Sequence, residues 1–228
     1  MIFRKKVQTI KFDKDRPEFY DLKPMKSSIP DWYKDAPLYT EGESVWNRKG
    51  LKQCVPFLDS LTTGYLIPLP MDVYVDKYYG GQHFTWGDST FSVVAQRSSD
   101  HPFIPILPGF SNERWVWLLP LSIELPKGYS ALFTHPLNRF DLPFFTLSGI
   151  VDSYKMFGGN VPFLIKEDFG GVIPAGTPIM QVIPFKLENW KREETPGLNE
   201  EAKVIKQRSQ NVLSRYYKTN FWKRKTYE

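Results

Sequence analysis

The segment His135-Pro136-Leu137-Asn138-Arg139 gathers an imidazole, a carboxamide and a guanidinium within five residues. A guanidinium holds a carboxylate or phosphate through two parallel N–H donors, and a carboxamide reads the edge of an amide or a base, so His135, Asn138 and Arg139 can together grip an anionic ligand. The competing assignment is internal. Arg139 pairs with Asp141, two residues on, or packs on Phe140, Phe144 and Phe145. Asp152 follows the apolar run Gly149-Ile150-Val151 with no second acid beside it. A metal-assisted hydrolysis needs more oxygen ligands than one carboxylate, so folding would have to bring Asp72, Asp141 or Asp168 to it, or phosphates would have to supply them.

Other chemistries are poorly served. The histidines His83, His101 and His135 show no metal-ligand spacing, so no resident metal is expected; G-x-S-x-G is absent, and so is the phosphate-cradling G-x-x-x-x-G-K-[ST]. Gly158-Gly159 and Gly170-Gly171 read as hairpin tips. The single Cys54 cannot close an intrachain disulfide or start a zinc site, and reads as a buried, inert thiol.

The elements that must position these residues read as mainly β. Leu125-Pro126-Lys127-Gly128 and Ile173-Pro174-Ala175-Gly176 share the form apolar-Pro-x-Gly, with proline at the second and glycine at the fourth place of a tight turn. Each launches a strand, over residues 129–134 and 179–185. The latter is apolar on both faces except at Gln181, which would need backbone partners if buried. Further strands are expected at 7–12, 65–69, 71–76, 82–86, 89–95, 115–119 and 121–125, with hairpin turns at 79–82 and 86–89. Residues 16–37 form an extended strap that enters a helical turn at a capping Asp31, followed by Trp32 and Tyr33, and that clips onto the β core or a neighbouring subunit. Residues 51–61 hold a helical turn. Leu198, Ala202, Ile205, Val212, Leu213 and Tyr216 recur at helical spacing, giving one C-terminal helix over about 199–217. The organisation expected is a strap with loops at 1–62, a β core at 63–190 and a helix with basic tail at 191–228.

Four local matches make the core resemble the deoxyuridine triphosphatase and deoxycytidine triphosphate deaminase group, which has the β-clip fold. Pro126-Lys127-Gly128-Tyr129 is similar to the turn before that family's phosphate-contacting segment, and Gly149-Ile150-Val151-Asp152-Ser153-Tyr154 resembles its Gly-x-Ile-Asp-x-x-Tyr region with the tyrosine one place early. Gly176-Thr177-Pro178-Ile179-Met180-Gln181 resembles its Gly-Asp-x-Ile-Ala-Gln strand, and Thr63-Gly64-Tyr65-Leu66-Ile67-Pro68 lies where the family has Ala-Gly-x-Asp-Leu. The resemblance implies a β-clip-like barrel or sandwich, a trimer with sites between subunits, Asp152 as general base, and ligand contacts at His135, Asn138, Arg139, Tyr154 and Gln181. The departures weigh on activity. Leu66 stands where the family has a metal-side aspartate, Thr134 to Arg139 replaces its Arg-Ser-Ser-Gly phosphate loop, Arg97-Ser98-Ser99 precedes the PKGY turn instead of following it, and the glycine-rich closing tail is missing. A non-catalytic oligomeric assembly or binding module is therefore the first functional expectation. The alternative is a degenerate deoxyuridine triphosphatase-like hydrolase, with magnesium required only in that case. Separately, Pro30-Asp31-Trp32-Tyr33, Cys54 to Asp59 and Tyr216 to Trp222 resemble a family from tailed phages of aquatic bacteria, which implies an origin and no activity.

Composition sets the remaining bounds. The 228 residues suffice for one sizeable domain with embellishments, and 16% aromatic content fits packed layers rather than disorder. No apolar run reaches the length of a membrane span, and Met1 to Lys6 leads into no signal-peptide core, so the host cytoplasm is the expected compartment, with the virion as an alternative. The net charge of +5 is uneven: from Lys203 onward eight Lys and Arg face only Glu228. Such a basic arm either binds a polyanion, whether nucleic acid or an acidic protein, or is a solvated helix face and tail.

Overall fold

In a computed structural model the described residues are 7–14, 21–41, 50–78, 81–97, 105, 107–152, 157–194, 197, 199–210 and 215–228. Their strands are β1 (Lys11–Lys14), β2 (Lys23–Pro24), β3 (Tyr65–Pro68), β4 (Val73–Tyr78), β5 (Gly81–Trp86), β6 (Val94–Gln96), β7 (Trp115–Glu124), β8 (Tyr129–Thr134), β9 (Phe144–Thr146), β10 (Gly149–Val151), β11 (Phe157–Ile165), β12 (Gly171–Ile173) and β13 (Pro178–Lys186). The helices are α1 (Asp31–Asp35), α2 (Val55–Thr62), α3 (Glu200–Gln210) and α4 (Tyr216–Asn220). The fold is mainly β, as the sequence implies, and every strand pair is antiparallel. None of the described helices is long and apolar enough to cross a membrane.

Three sheets share the strands. The first runs β1-β7-β11-β9 with β6 also on β7, the second β10-β8-β13-β3-β2, and the third β12-β4-β5. One apolar core joins them, from Val73 and Phe84 of the third sheet, through Trp117 and Phe163 of the first, to Phe133 and Val182 of the second. At its centre the Trp117 and Phe163 rings stack 3.8 Å apart and 9° from parallel.

Each proline-glycine corner carries the chain into the second sheet. The corner at 125–128 leads from β7 to β8, and the one at 173–176 leads from β12 to β13. Because β8 and β13 are antiparallel neighbours, the corners lie at opposite ends of one strand pair. The carbonyl of Gly128 accepts from Leu187 N–H at one end, while Leu69 exchanges backbone bonds with Gly176 and Thr177 at the other. The turns close one residue later than the sequence reading placed them: Tyr129 N–H donates to Pro126 and Thr177 N–H to Pro174. Glycine is thus the third residue, at φ 83° for Gly128 and 79° for Gly176. Positive φ at that place is what a type II turn requires, so the glycine serves conformation and the proline sits one place earlier.

The stretch 115–125 is one strand. Gly158 pairs with Ser122 and Asn160 with Leu118, leaving three residues of β7, Pro120 among them, opposite Gly159 alone. Proline has no N–H to give a ladder, and this bulge is where none is asked for. Gly158-Gly159 therefore lies inside β11 and not at a hairpin tip. Residues 86–89 do not close a hairpin, since β5 and β6 belong to different sheets, and Asp88 instead accepts from Thr90 N–H. Residues 79–80, between the paired strands β4 and β5, lie outside the described residues.

The chain divides into two compact units, one of Met1–Met25 with Gly64–Leu187 and the other of Lys26–Thr63 with Glu188–Glu228. In the first, part of the strap adds to β3 as the edge strand β2, and Met25 N–H donates to Gly64 carbonyl. Gly64 has φ 79°, and a Cβ there would lie 2.2 Å from the Val182 carbonyl oxygen, so only glycine fits. In the second, Asp31 is the first residue of α1, behind a Pro30 N-cap that makes no side-chain capping bond, rather than the cap itself. Tyr33 stacks on Phe57 of α2 at 5.8 Å. Cys54 is exposed ahead of α2, not buried. The expected single C-terminal helix is two, because Arg215 before α4 adopts a left-handed φ of 45°.

Candidate functional site

Residues on either side of the bulge that includes Pro120 line a cleft of about 340 Å³ within the β unit. Leu119, Leu121 and Ile123 of β7 form one wall, Val161 and Pro162 of β11 another. Phe133 of β8 and Val151 of β10 close it from the second sheet. Leu147, Ser148 and Gly149, where the chain crosses from β9 to β10, complete the lining with Gly159 and Asn160. Only Ser148 and Asn160 bring polar side chains, both exposed, and none of the described lining residues is charged. A cleft of this size is within the usual ~300–1,000 Å³ of small-molecule pockets, yet nothing in the described lining neutralises a phosphate.

On the face of the second sheet that carries Ser130, Leu132 and Thr134 of β8, Gln181 and Asp152 are ordered by three cross-strand rows. Thr134 faces Gln181 across β8 and β13, Leu132 faces Ile150 on one side and Ile183 on the other, and Ser130 faces Phe185. Side-chain bonds extend the outer two rows beyond β10: the Thr134 and Ser148 hydroxyls are 2.7 Å apart, and the Ser130 hydroxyl donates to the exposed Asp152 carboxylate. Asp152 therefore belongs to the Ser130 row, and Gln181 to the Thr134 row. At about 3.4 Å per residue, four residues of β8 separate the two rows by roughly 14 Å, with an apolar row between them. Asp152 and the His135–Arg139 segment do not converge.

The His135–Arg139 segment is held by the protein's own groups. His135 is 5% exposed. Its Nδ1 accepts from Thr146 N–H at 3.3 Å, which leaves Nε2 to carry the proton and donate to the Arg139 carbonyl at 3.0 Å. Burial holds this ring below the ordinary histidine range, outweighing the opposite pull of the carbonyl bond. Phe145 stacks on it at 4.8 Å. Both ring nitrogens are thus engaged inside the fold.

Arg139 is 9% exposed and grips Asp141 with two nitrogens, Nε at 2.9 Å and Nη2 at 2.8 Å. This is the internal pairing that the sequence left open. Asn138 has φ 61°, the third place of a turn closed by Arg139 N–H on Pro136 carbonyl, where asparagine is tolerated in the left-handed region. Gln181 is fully buried and accepts from Leu137 N–H at 2.8 Å, the backbone partner its burial demands. Of the other acids, Asp72 accepts from Ala175 N–H at 2.7 Å, at the second corner. Tyr154 and His101 lie outside the described residues. Among the described residues no three His, Cys, Asp or Glu side chains gather as a metal site would require.

No family model matches the sequence, and no curated protein matches it. Solved structures do. The chain is similar to phage dUTPases. A mutant dUTPase of phage phi11 of S. aureus aligns over 84% of this chain and 99% of its own, at 9% identity and TM-score 0.35. A mutant dUTPase of Staphylococcus bacteriophage 80alpha aligns over 84% and 99%, at 9% identity and TM-score 0.34. Another 80alpha mutant, solved with dUpNHpp, aligns over 86% of this chain and 94% of its own, at 11% identity and TM-score 0.35.

The cleft itself escaped the sequence reading. Its signal is a proline inside a ten-residue, mostly apolar strand, together with a glycine pair inside the partner strand. Together these mark a bulge in a sheet rather than the ends of two short strands and a hairpin tip.

Proposed function

We propose that the protein is a non-catalytic binding and assembly module of phage type, whose β unit takes an uncharged, largely apolar group into the cleft at Pro120. One observation carries this reading: the polar groups best suited to a nucleotide are engaged within the fold, whereas the cleft is walled by aliphatic side chains and Phe133. Apolar ligands gain affinity from removing such walls from water, and the exposed Ser148 and Asn160 would orient a polar end group. Assembly fits the outer face of the second sheet, where Ile150 is 67% exposed beside Leu132, Ile183 and Phe185. A homo-oligomer, with a trimer as first expectation, would cover that row.

Thermal-shift titration tests the reading. A small apolar probe such as indole or n-hexanol should raise the melting temperature, and Val161→Trp, which fills the cleft, should abolish the rise. Deoxynucleoside triphosphates, with or without magnesium, should not raise it. A nucleotide-dependent rise that survives Val161→Trp would overturn the proposal.

The hydrolase alternative keeps one observation in its favour. The Asp152 carboxylate is exposed at the end of β10, held by Ser130 and adjacent in sequence to the cleft residue Val151. In that reading Asp152 takes a proton from water. The described groups around Asp152 do not make a magnesium cage, so magnesium would enter only on the phosphates of a nucleotide.

A further inference from the structure

The C-terminal segment is clamped in place. Within the second unit, Asp59 of α2 accepts from the Trp222 indole N–H at 3.1 and 3.0 Å and pairs with the Lys225 ammonium. The backbone adds order, with Phe221 and Trp222 N–H groups both donating to the Tyr217 carbonyl. This clamp neutralises Lys225 and leaves Lys218, Lys223 and Arg224 exposed, with no ion pair or side-chain hydrogen bond among the described residues.

Two partly exposed rings neighbour those charges in sequence. Tyr217 of α4 and Phe221, the residue that caps it, are 40% and 47% exposed, with centroids 6.4 Å apart. A solvated basic tail has no need of two exposed rings, since large apolar groups gain from burial. Exposed cations and partly exposed rings within one short segment suit a strand with unpaired bases: the cations meet phosphates and the rings stack on bases, whose faces are hidden in a duplex.

We propose that Tyr217, Lys218, Phe221, Lys223 and Arg224 form a single-stranded nucleic-acid site that selects unpaired bases over sequence. The site is independent of the cleft and of its occupant.

Fluorescence anisotropy of a labelled oligothymidylate with the full-length protein tests it. Three phosphate contacts give a slope of log affinity against log salt of about −2. The double variant Lys223→Gln, Arg224→Gln, both exposed positions, should flatten that slope to about −0.7. Phe221→Ala and Tyr217→Ala should each weaken binding by about tenfold and leave the slope unchanged. Two ring variants guard against one of them disturbing α4. A duplex of the same length should bind at least about tenfold more weakly, and polyglutamate should not compete at equal charge concentration. Equal binding of duplex, equal competition by polyglutamate, an unaltered slope in the charge variant, or no binding at low salt would each overturn the proposal.

Discussion

The two units of this chain treat their polar side chains in opposite ways. In the β unit the residues most suggestive of chemistry are turned to construction: His135 joins Thr146 to Arg139, Gln181 secures Leu137, and Arg139 is forked onto Asp141. In the unit of 26–63 and 188–228, one carboxylate, Asp59, fastens the C-terminal segment and the neighbouring cations stay exposed. The contrast teaches that residue type does not reveal availability. A histidine and an arginine in one stretch look like a ligand grip, yet a buried polar group left unbonded costs about 1–3 kcal/mol, and a fold that buries them must bond them.

Perturbing the two units should separate core, buried polar and surface terms. The largest effect belongs to Phe163→Ala, which removes one ring of the Trp117 stack and should cost about 3–5 kcal/mol in denaturant unfolding. Gln181→Leu keeps the volume but strands Leu137 N–H, and should cost about 1–3 kcal/mol by the same measurement. Asp59→Ala should cost about 1 kcal/mol, and should show more clearly as faster tryptic cleavage at Lys223 to Lys225, because the clamp on Trp222 is lost. Should Asp59→Ala instead destabilise as much as Phe163→Ala, the contrast between built-in and exposed polar groups would collapse.

The smallest effect is a pH dependence. His135 is held below its ordinary pKa of 6.5 by burial, so below about pH 6.5 the unfolded chain binds a proton that the folded chain refuses. Stability from this residue is complete above that pH and is lost progressively as pH falls from there through the lower pKa of the folded ring. Urea midpoints of wild type and His135→Phe, compared from pH 8 down to pH 5, should converge. Parallel curves would mean that the ring accepts its proton inside the fold.

Much of the fold was legible because its cues are local. Strand β8 matches its expected bounds of 129–134, α1 starts at Asp31, and both corners feed neighbouring strands of one sheet. The burial of Gln181 and its backbone partner followed from an apolar strand interrupted by one amide. The misses share another cause. By its type Pro120 ends a strand, because proline denies a donor, but a bulge removes the need for one, and only the register of β11 reveals that. The 86–89 turn has hairpin residues but leads to a different sheet, a choice made by packing and not by turn chemistry. The type of Cys54 points to a core residue, yet it is exposed and precedes a helix whose one fully buried side chain is Leu61. Helical spacing continued past Arg215, while its left-handed φ starts a new helix.

The central claim, that the β unit binds without catalysing, is tested most directly by pyrophosphate release from deoxynucleoside triphosphates in the presence of magnesium. The account expects no release above the rate without protein, for wild type and for Asp152→Asn alike. Magnesium-dependent turnover by the wild type that disappears in Asp152→Asn would contradict it.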